Sequence, residues 1–170
     1  MPVEIRTATA SDAACACSVL RRSIAECCSD DHRNDAAILE AWLGNKTAEN
    51  VQFWFLSESN FSIVAVADQV VVGVAMLTRA GKIVLCYVSP EMRFSGVGKL
   101  LLQALEAQAR EWKLRTLSVI STVTAQSFYA HNGFDQGVVT RSVFGIDVIA
   151  FSKRLTTCSY PRKPPCGCAS

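Results

Sequence analysis

Lys82-Ile-Val-Leu-Cys-Tyr-Val-Ser-Pro-Glu-Met-Arg93-Phe-Ser-Gly96-Val-Gly98-Lys99-Leu-Leu-Leu102 is the stretch that decides the fold. A short apolar run ends at Ser89-Pro90, and a glycine pair then opens an apolar run with helical spacing. That order is strand, turn, glycine-rich loop, helix. Gly96 and Gly98 place no side chain in the way, so backbone N–H groups of the first helical turn can meet a diphosphate directly. The helix dipole adds roughly half a positive charge at that end. Arg93 and Lys99 bring full charges beside it. The stretch predicts a pyrophosphate cradle.

Spacing separates three kinds of cradle. A Walker A loop requires Gly-x-x-x-x-Gly-Lys-Ser/Thr. Here Arg93 stands at the first glycine position and Leu100 replaces the magnesium-binding hydroxyl. A dinucleotide fingerprint requires Gly-x-Gly-x-x-Gly at an early βα turn, but Leu101 fills the third glycine position and roughly 80 residues precede the loop. What remains, Arg93-Phe94-Ser95-Gly96-Val97-Gly98, resembles the Arg/Gln-x-x-Gly-x-Gly/Ala motif of the GCN5-related N-acetyltransferases. About thirty residues on, Thr122-Val-Thr-Ala125-Gln-Ser-Phe128-Tyr129-Ala-His-Asn-Gly133-Phe134 resembles that family's Asn-x-x-Ala-x-x-Phe-Tyr-x-x-x-Gly-Phe element. Thr122 departs from the family's Asn, and a hydroxyl cannot make the paired contacts of an amide.

The bulk properties agree with a single enzyme-sized domain. The chain has 170 residues, is 50% hydrophobic and carries a net charge of +2, with no basic block of the kind a nucleic-acid footprint needs. Met1-Pro-Val-Glu-Ile-Arg lacks the pattern of a signal peptide, and no apolar run approaches the ~20 residues of a membrane span. The expectation is a cytoplasmic protein with no membrane and no nucleic-acid partner. Cys15, Cys17, Cys27, Cys28 and Cys86 lie among apolar residues and are expected to pack in the core as small hydrophobes.

Along the chain, Val3–Ala8 predicts a strand and Ser11-Asp12 a helix start, with one helix running to about Cys28. Ser29–Asn34 is a polar break. Asp35–Leu43 predicts a second helix and Thr47–Phe55 a third. Asp68-Gln69 separates two β-rich runs, Phe61–Ala67 and Val70–Thr78, as a hairpin turn. Strand Lys82–Val88, a helix from Gly96 to about Lys113, strand Arg115–Ser121 and helix Thr124–His131 follow. Val138–Val143 and Asp147–Lys153 flank Phe144-Gly145 as a last hairpin. The order matches the α/β fold that the resemblance implies: a mixed central sheet of six to seven strands with helices on both faces, over residues 1–155. Residues 156–170 form a Cys/Pro-containing tail expected to be disordered. Its Cys158, Cys166 and Cys168 lack a fourth metal ligand, and no metal is expected.

The resemblance implies acetyl transfer from acetyl-CoA, as co-substrate, to a primary amine on a small molecule or peptide, by direct attack in a ternary complex. It implies that pantetheine enters a gap between the strands ending at Val88 and near Ser121. Backbone groups of Tyr87 and Val88 would then hold it, with Thr122 nearby and Arg93, Phe94, Ser95, Gly96, Val97, Gly98 and Lys99 at the phosphates. Tyr129 is the general acid for the departing thiolate, set against the plainer reading of a half-buried aromatic. Phe128 and Phe134 belong to the core, and His131 caps a helix. The base is open among Glu26, Asp30, Asp31 and His32, while Glu91 is expected to offset Arg93. The Phe144-Gly145 hairpin is where a homodimer would form. The alternatives are a non-catalytic acyl-CoA-binding sensor or regulatory module, and a thiol-rich metal or redox protein.

Overall fold

A computed structural model of the chain describes residues 2–156. The elements are β1 (Val3–Thr7), α1 (Ala13–Arg22), α2 (Ser29–His32), α3 (Ala36–Leu43), α4 (Ala48–Leu56), β2 (Asn60–Ala67), β3 (Val70–Thr78), β4 (Lys82–Val88), α5 (Val97–Glu111), β5 (Thr116–Thr122), α6 (Gln126–His131), β6 (Asp135–Arg141) and β7 (Asp147–Arg154). The strands form one mixed sheet in the order β1-β2-β3-β4-β5-β7-β6. Only β4 and β5 pair in parallel. Alternation along β2 sends Ile63, Ala65 and Ala67 into the core beneath α5 and Val64 into the core beneath α1 and α4. Helices therefore cover both faces, as expected. The proposed tail from 157 onward, with its three cysteines, lies outside the described residues.

Local chemistry accounts for most boundaries. Asp35 accepts the N–H groups of Ala37 and Ile38 at 2.9 and 3.1 Å and opens α3, and Thr47 accepts that of Asn50 at 3.2 Å to open α4. Asp68 and Gln69 both adopt positive φ, 47° and 67°, the twist that joins two antiparallel strands in two residues.

Three expectations need correction. The first helix does not run from Asp12 to Cys28: it ends at Arg22, widens into a π-turn over Ser23–Cys27, and α2 begins after Cys28. The last hairpin starts at Asp135, not Val138, because a bulge at Gly137 lets three residues that look like loop join the ladder. A Cβ at Gly137 would lie 3.2 Å from the carbonyl oxygen of Ala150. Of the five cysteines, Cys17 and Cys28 are buried and Cys27 and Cys86 partly so, but Cys15 is exposed on the outer side of α1.

Candidate active site

β4 and β5 run together only at their starts, where Lys82 pairs with Ser118 and Ile83 with Val119. Beyond that point β4 stays with β3 as far as Val88, and β5 stays with β7 as far as Thr122. The two strands follow different neighbours and part. A bulge contributes to the parting, since Leu77 faces Ile83 and Met76 faces Leu85, which leaves Val84 as the extra residue. The bulge also reverses the side-chain alternation. Ile83 packs beneath α5, yet Leu85, two residues on, packs on the α1 face, while Cys86 and Val88 return to the α5 face. The slit holds a narrow cavity of about 60 Å³ lined by Cys86, Tyr87, Ile120, Thr122, Ala125 and Tyr129, among others.

The main chain at the slit follows from the same alternation. The N–H of Ser89 donates to the carbonyl oxygen of Val72 at 2.8 Å, so the backbone groups of Tyr87 and Leu85 face β3 as well. Those of Val88 and Cys86 face the slit. The side chain of Tyr87 turns the other way, into a cluster with Ile24, Cys28 and Trp42 beneath the π-turn and α3.

The cradle continues directly from β4. A short 3-10 turn over Pro90–Met92 leads to Arg93, then to Phe94 at φ 61° and Gly96 at φ 91°. Ser95 Oγ donates to the Met92 carbonyl at 2.5 Å and steadies the bend. α5 begins with no side-chain cap, and its first internal bond is from Leu100 N–H to the Gly96 carbonyl at 3.1 Å. The N–H groups of Val97, Gly98 and Lys99 thus have no partner inside the helix. A Cβ at Gly96 would meet nothing within 4 Å, so the space above the loop is open. At Gly98 the finding differs from the sequence reading, for a Cβ there would lie 3.3 Å from Phe128 Cε2 and 3.7 Å from Val88 Cγ2. Gly98 lets α5 approach α6. Phe94, 95% exposed, carries the Arg93 guanidinium 4.8 Å from its ring centre.

Tyr129 is 4% exposed, buried rather than half-buried, and packs edge-on against Phe128 and Phe134 with centroids 5.1 and 5.4 Å away. Gly133, at φ 82°, ends α6 in a left-handed cap whose neighbour Phe134 returns its N–H to the Tyr129 carbonyl at 3.1 Å. Burial, then the neighbouring Cys86 and Tyr87, push the Tyr129 phenol well above its ordinary range, so it stays protonated. Burial likewise pushes the Cys86 thiol up to about 12. The Thr122 hydroxyl oxygen accepts the N–H of Ala125 at 3.2 Å, which leaves its O–H free to donate.

The wall formed by α1 to α3 holds the candidate bases. Asp31, 7% exposed, accepts the N–H of Val123 at 2.8 Å and both the N–H and hydroxyl of Thr124, 92 and 93 residues away. No local sequence signal announces this clamp between α2 and the end of β5. His32 is 1% exposed, its Nδ1 accepting the Asn34 N–H at 3.1 Å and its Nε2 lying 3.2 Å from the Ala25 carbonyl. Glu26 and Glu91 both bind Arg22, so Glu91 does not offset Arg93 as expected. The Arg22 guanidinium holds the Glu91 carboxyl below its usual range. A wider depression of about 410 Å³ lies outside the slit, between α1 and the β2–β3 turn, and meets the cradle only at Ser89, Glu91 and Met92. Among the described residues, no group of three or more His, Cys, Asp and Glu side chains could hold a metal, and no helix is long and apolar enough to cross a membrane.

Residues 28–155 match the sequence model of the acetyltransferase (GNAT) domain. Among curated proteins, none matches the chain. Solved structures do. A GCN5-related N-acetyltransferase from Rhodopseudomonas palustris is 23% identical, with a TM-score of 0.82 over 91% of this chain and 97% of its own. The PaiA N-acetyltransferase of Thermoplasma acidophilum, in complex with coenzyme A, is 21% identical, with a TM-score of 0.76 over 91% of this chain and 100% of its own. YncA of Salmonella typhimurium, with acetyl-CoA, is 19% identical, with a TM-score of 0.71 over 95% and 98%.

Proposed function

The chain belongs to the acetyltransferase (GNAT) family, and from that premise we propose that it moves an acetyl group from acetyl-CoA to a primary amine by direct attack, both reactants being held at once. The observation that carries the reading is the conjunction of two parted parallel strands with an uncapped helix start at their open end. The donor set fits the co-substrate. Three free N–H groups, the open space above Gly96 and the charges of Arg93 and Lys99 suit a diphosphate. The slit is narrow and lined by both apolar and polar groups, which suits an extended pantetheine arm with its two amides. Bound acetyl-CoA supplies an activated thioester and a thiolate leaving group.

The chain's own residues do the rest. The N–H of Val88 faces the slit and donates to the oxygen on which negative charge develops, while Thr122 helps align the arm. Tyr87, expected to hold the arm through its backbone, has those groups turned to β3 and its side chain to Trp42, and takes no part. Tyr129 gives its proton to the departing sulfur, an assistance worth about 100-fold for a leaving group with a pKa near 8.5. Holding donor and acceptor together removes much of the entropic barrier. The test is calorimetric titration with coenzyme A and acetyl-CoA, followed by thiol release on adding an amine panel. Binding with acetyl transfer supports the reading; no affinity for either nucleotide at ordinary salt overturns it.

A further inference from the structure

An amine must lose a proton to become an amide, and ordinary alkylamines are ammonium ions at neutral pH. A site for such amines needs a group that takes the proton. The surroundings of the slit offer little. β5 carries no ionisable side chain at all, and β4 carries only Lys82 at its exposed start, Cys86 and Tyr87. Burial raises both of the latter away from service as bases. From α6, Tyr129 is a proton donor and His131 is exposed, its Nδ1 2.6 Å from the Ser127 carbonyl.

On the opposing wall, each buried candidate has other work. Asp31 already accepts three hydrogen bonds from Val123 and Thr124. His32 accepts a hydrogen bond from the Asn34 N–H on Nδ1, and its Nε2 lies 3.2 Å from the Ala25 carbonyl oxygen, so both ring nitrogens are occupied. Glu26 and Glu91 share Arg22. Cys28 is buried, with its thiol pushed up to about 12, and Asp30 stands exposed to solvent. Asp147 alternates with Val148, which faces Trp42, so it lies on the other face of the sheet. The cradle faces the site with cations, Arg93 and Lys99. Behind the wall sits another cation, Lys46, 8% exposed, with Nζ 2.6 Å from Asn45 Oδ1 and 5.5 Å from the Phe144 ring. Lys46 makes no ion pair among the described residues, and residues 157–170 contain no Asp or Glu.

We propose that the acceptor is a weakly basic primary amine, the α-amino group of a peptide, which enters the slit already uncharged. The proposal rests on the acetyltransferase reading above and narrows it. The one buried acid at this end of the wall among the described residues, Asp31, is already engaged by Val123 and Thr124, and a buried cation lies behind the wall, so a polyamine or a lysine side chain is disfavoured twice. At pH 7.5 roughly a third of an α-amino group is free base, against about 0.1% of a lysine ε-amine, a ratio of about 300. Water carries the second proton away after attack. The sheet face beside the slit also leaves room for a chain, since Ser118 and Ile120 of β5 are exposed among the described residues.

The experiment follows thiol release at saturating acetyl-CoA between pH 6.5 and 9.5. Alaninamide and a short peptide beginning with Ala are compared with spermidine and Nα-acetyl-lysine, and coenzyme A affinity is measured on the same sample. The expected result is a kcat/KM at pH 7.5 about 100-fold higher for one or both α-amines, with a pH midpoint that moves with the acceptor's own pKa. Spermidine or the ε-amine used as well as the α-amines would overturn the proposal. So would a midpoint that stays fixed across acceptors and disappears in Asp30→Asn. Coenzyme A binding without turnover of either α-amine rejects the acceptor class and leaves the cradle standing; absence of binding removes the acetyltransferase reading itself.

Discussion

A Cβ placed on Gly98 would come within 3.3 Å of Cε2 of Phe128, so the second glycine of the loop is fixed by the packing of α5 against α6. Gly98→Ala asks the ring to give by a few tenths of an ångström, and the alanine recovers up to about 1 kcal/mol of helix propensity. Its stability should stay within about 1 kcal/mol of the parent. Gly98→Leu cannot be accommodated without moving Phe128 or Val88, both next to the slit. Coenzyme A affinity measured by calorimetry should fall at least about tenfold in Gly98→Leu and far less in Gly98→Ala. Equal affinities for the two variants would count against the packing account.

Gly96 presents the opposite case. Its φ of 91° is costly for any residue with a Cβ, while nothing lies within 4 Å to clash. Gly96→Ala should therefore lose about 1 kcal/mol through backbone strain alone, and Gly96→Asn less, because Asn tolerates the left-handed region. On the proposed reading the added methyl would also stand where the diphosphate meets the loop. Urea unfolding and calorimetry together check this: a stability loss without weaker coenzyme A binding would move the phosphates elsewhere.

These two glycines also show what could be read from the chain beforehand. Wherever the determinants are adjacent, the sequence is legible. Asp68-Gln69 announced its hairpin, Lys82–Val88 its strand, and Arg93 to Lys99 its turn into a helix, because each depends on the conformational preferences of a few consecutive residues. The bulge at Val84 was hidden, since it depends on how β3 matches β4. Its consequence, Cys86 on the Tyr129 side and Tyr87 on the Trp42 side, was hidden with it. The strand start at Asp135 was masked by a bulge of the same kind at Gly137. Asp31 looked like one acid among several in a polar break, and only folding brings Val123 and Thr124 to it. Glu91 likewise found Arg22, 69 residues earlier, instead of the nearby Arg93.

That clamp gives a stability prediction. Asp31→Ala leaves the Val123 N–H and the Thr124 hydroxyl without their charged acceptor in a partly buried place, which should cost about 2–3 kcal/mol. Asp31→Asn keeps one acceptor oxygen and should lose about half as much. Urea unfolding measures the first effect, and hydrogen exchange at the Val123 amide should accelerate in both variants. An Asp31→Ala protein as stable as the parent, with unchanged exchange at Val123, would mean the contact is idle.

Acid sensitivity should arise at the other end of the wall. Arg6 donates to both oxygens of Asp12 at 2.8 Å, and Thr9 adds its N–H at 2.8 Å and its hydroxyl at 2.9 Å. The Arg6 hydrogen bonds hold the Asp12 carboxyl far below its ordinary range. A carboxyl depressed in the folded state contributes stability that is fully present above its unfolded pKa of about 3.9 and is lost as pH falls through the lower folded value. Asp12→Asn should cost about 1 kcal/mol at pH 7, after allowing for the partly exposed guanidinium. The gap between variant and parent should narrow below about pH 4. A gap that is the same at pH 7 and pH 3 would assign the loss to packing instead.

Tyr129 carries the prediction closest to the chemistry. Its ring is held on three sides by Phe128, Phe134 and Phe151, the last with its centroid 6.0 Å away, so Tyr129→Phe should leave the ring's place in the core unchanged. Only the hydroxyl goes, at the edge of the slit beside Cys86. Because burial raises the phenol's pKa, the proton is present throughout the ordinary assay range, and the parent should show no alkaline loss of activity from this group below about pH 10. Turnover of Tyr129→Phe should fall by about 10- to 100-fold with the KM for acetyl-CoA within about twofold, since the proton is needed only as the thiolate departs. The deficit should shrink when the leaving thiol is made more acidic, which a purely structural role for Tyr129 would not produce. A variant with the parent's turnover would strip Tyr129 of the acid's role and leave sulfur expulsion to water.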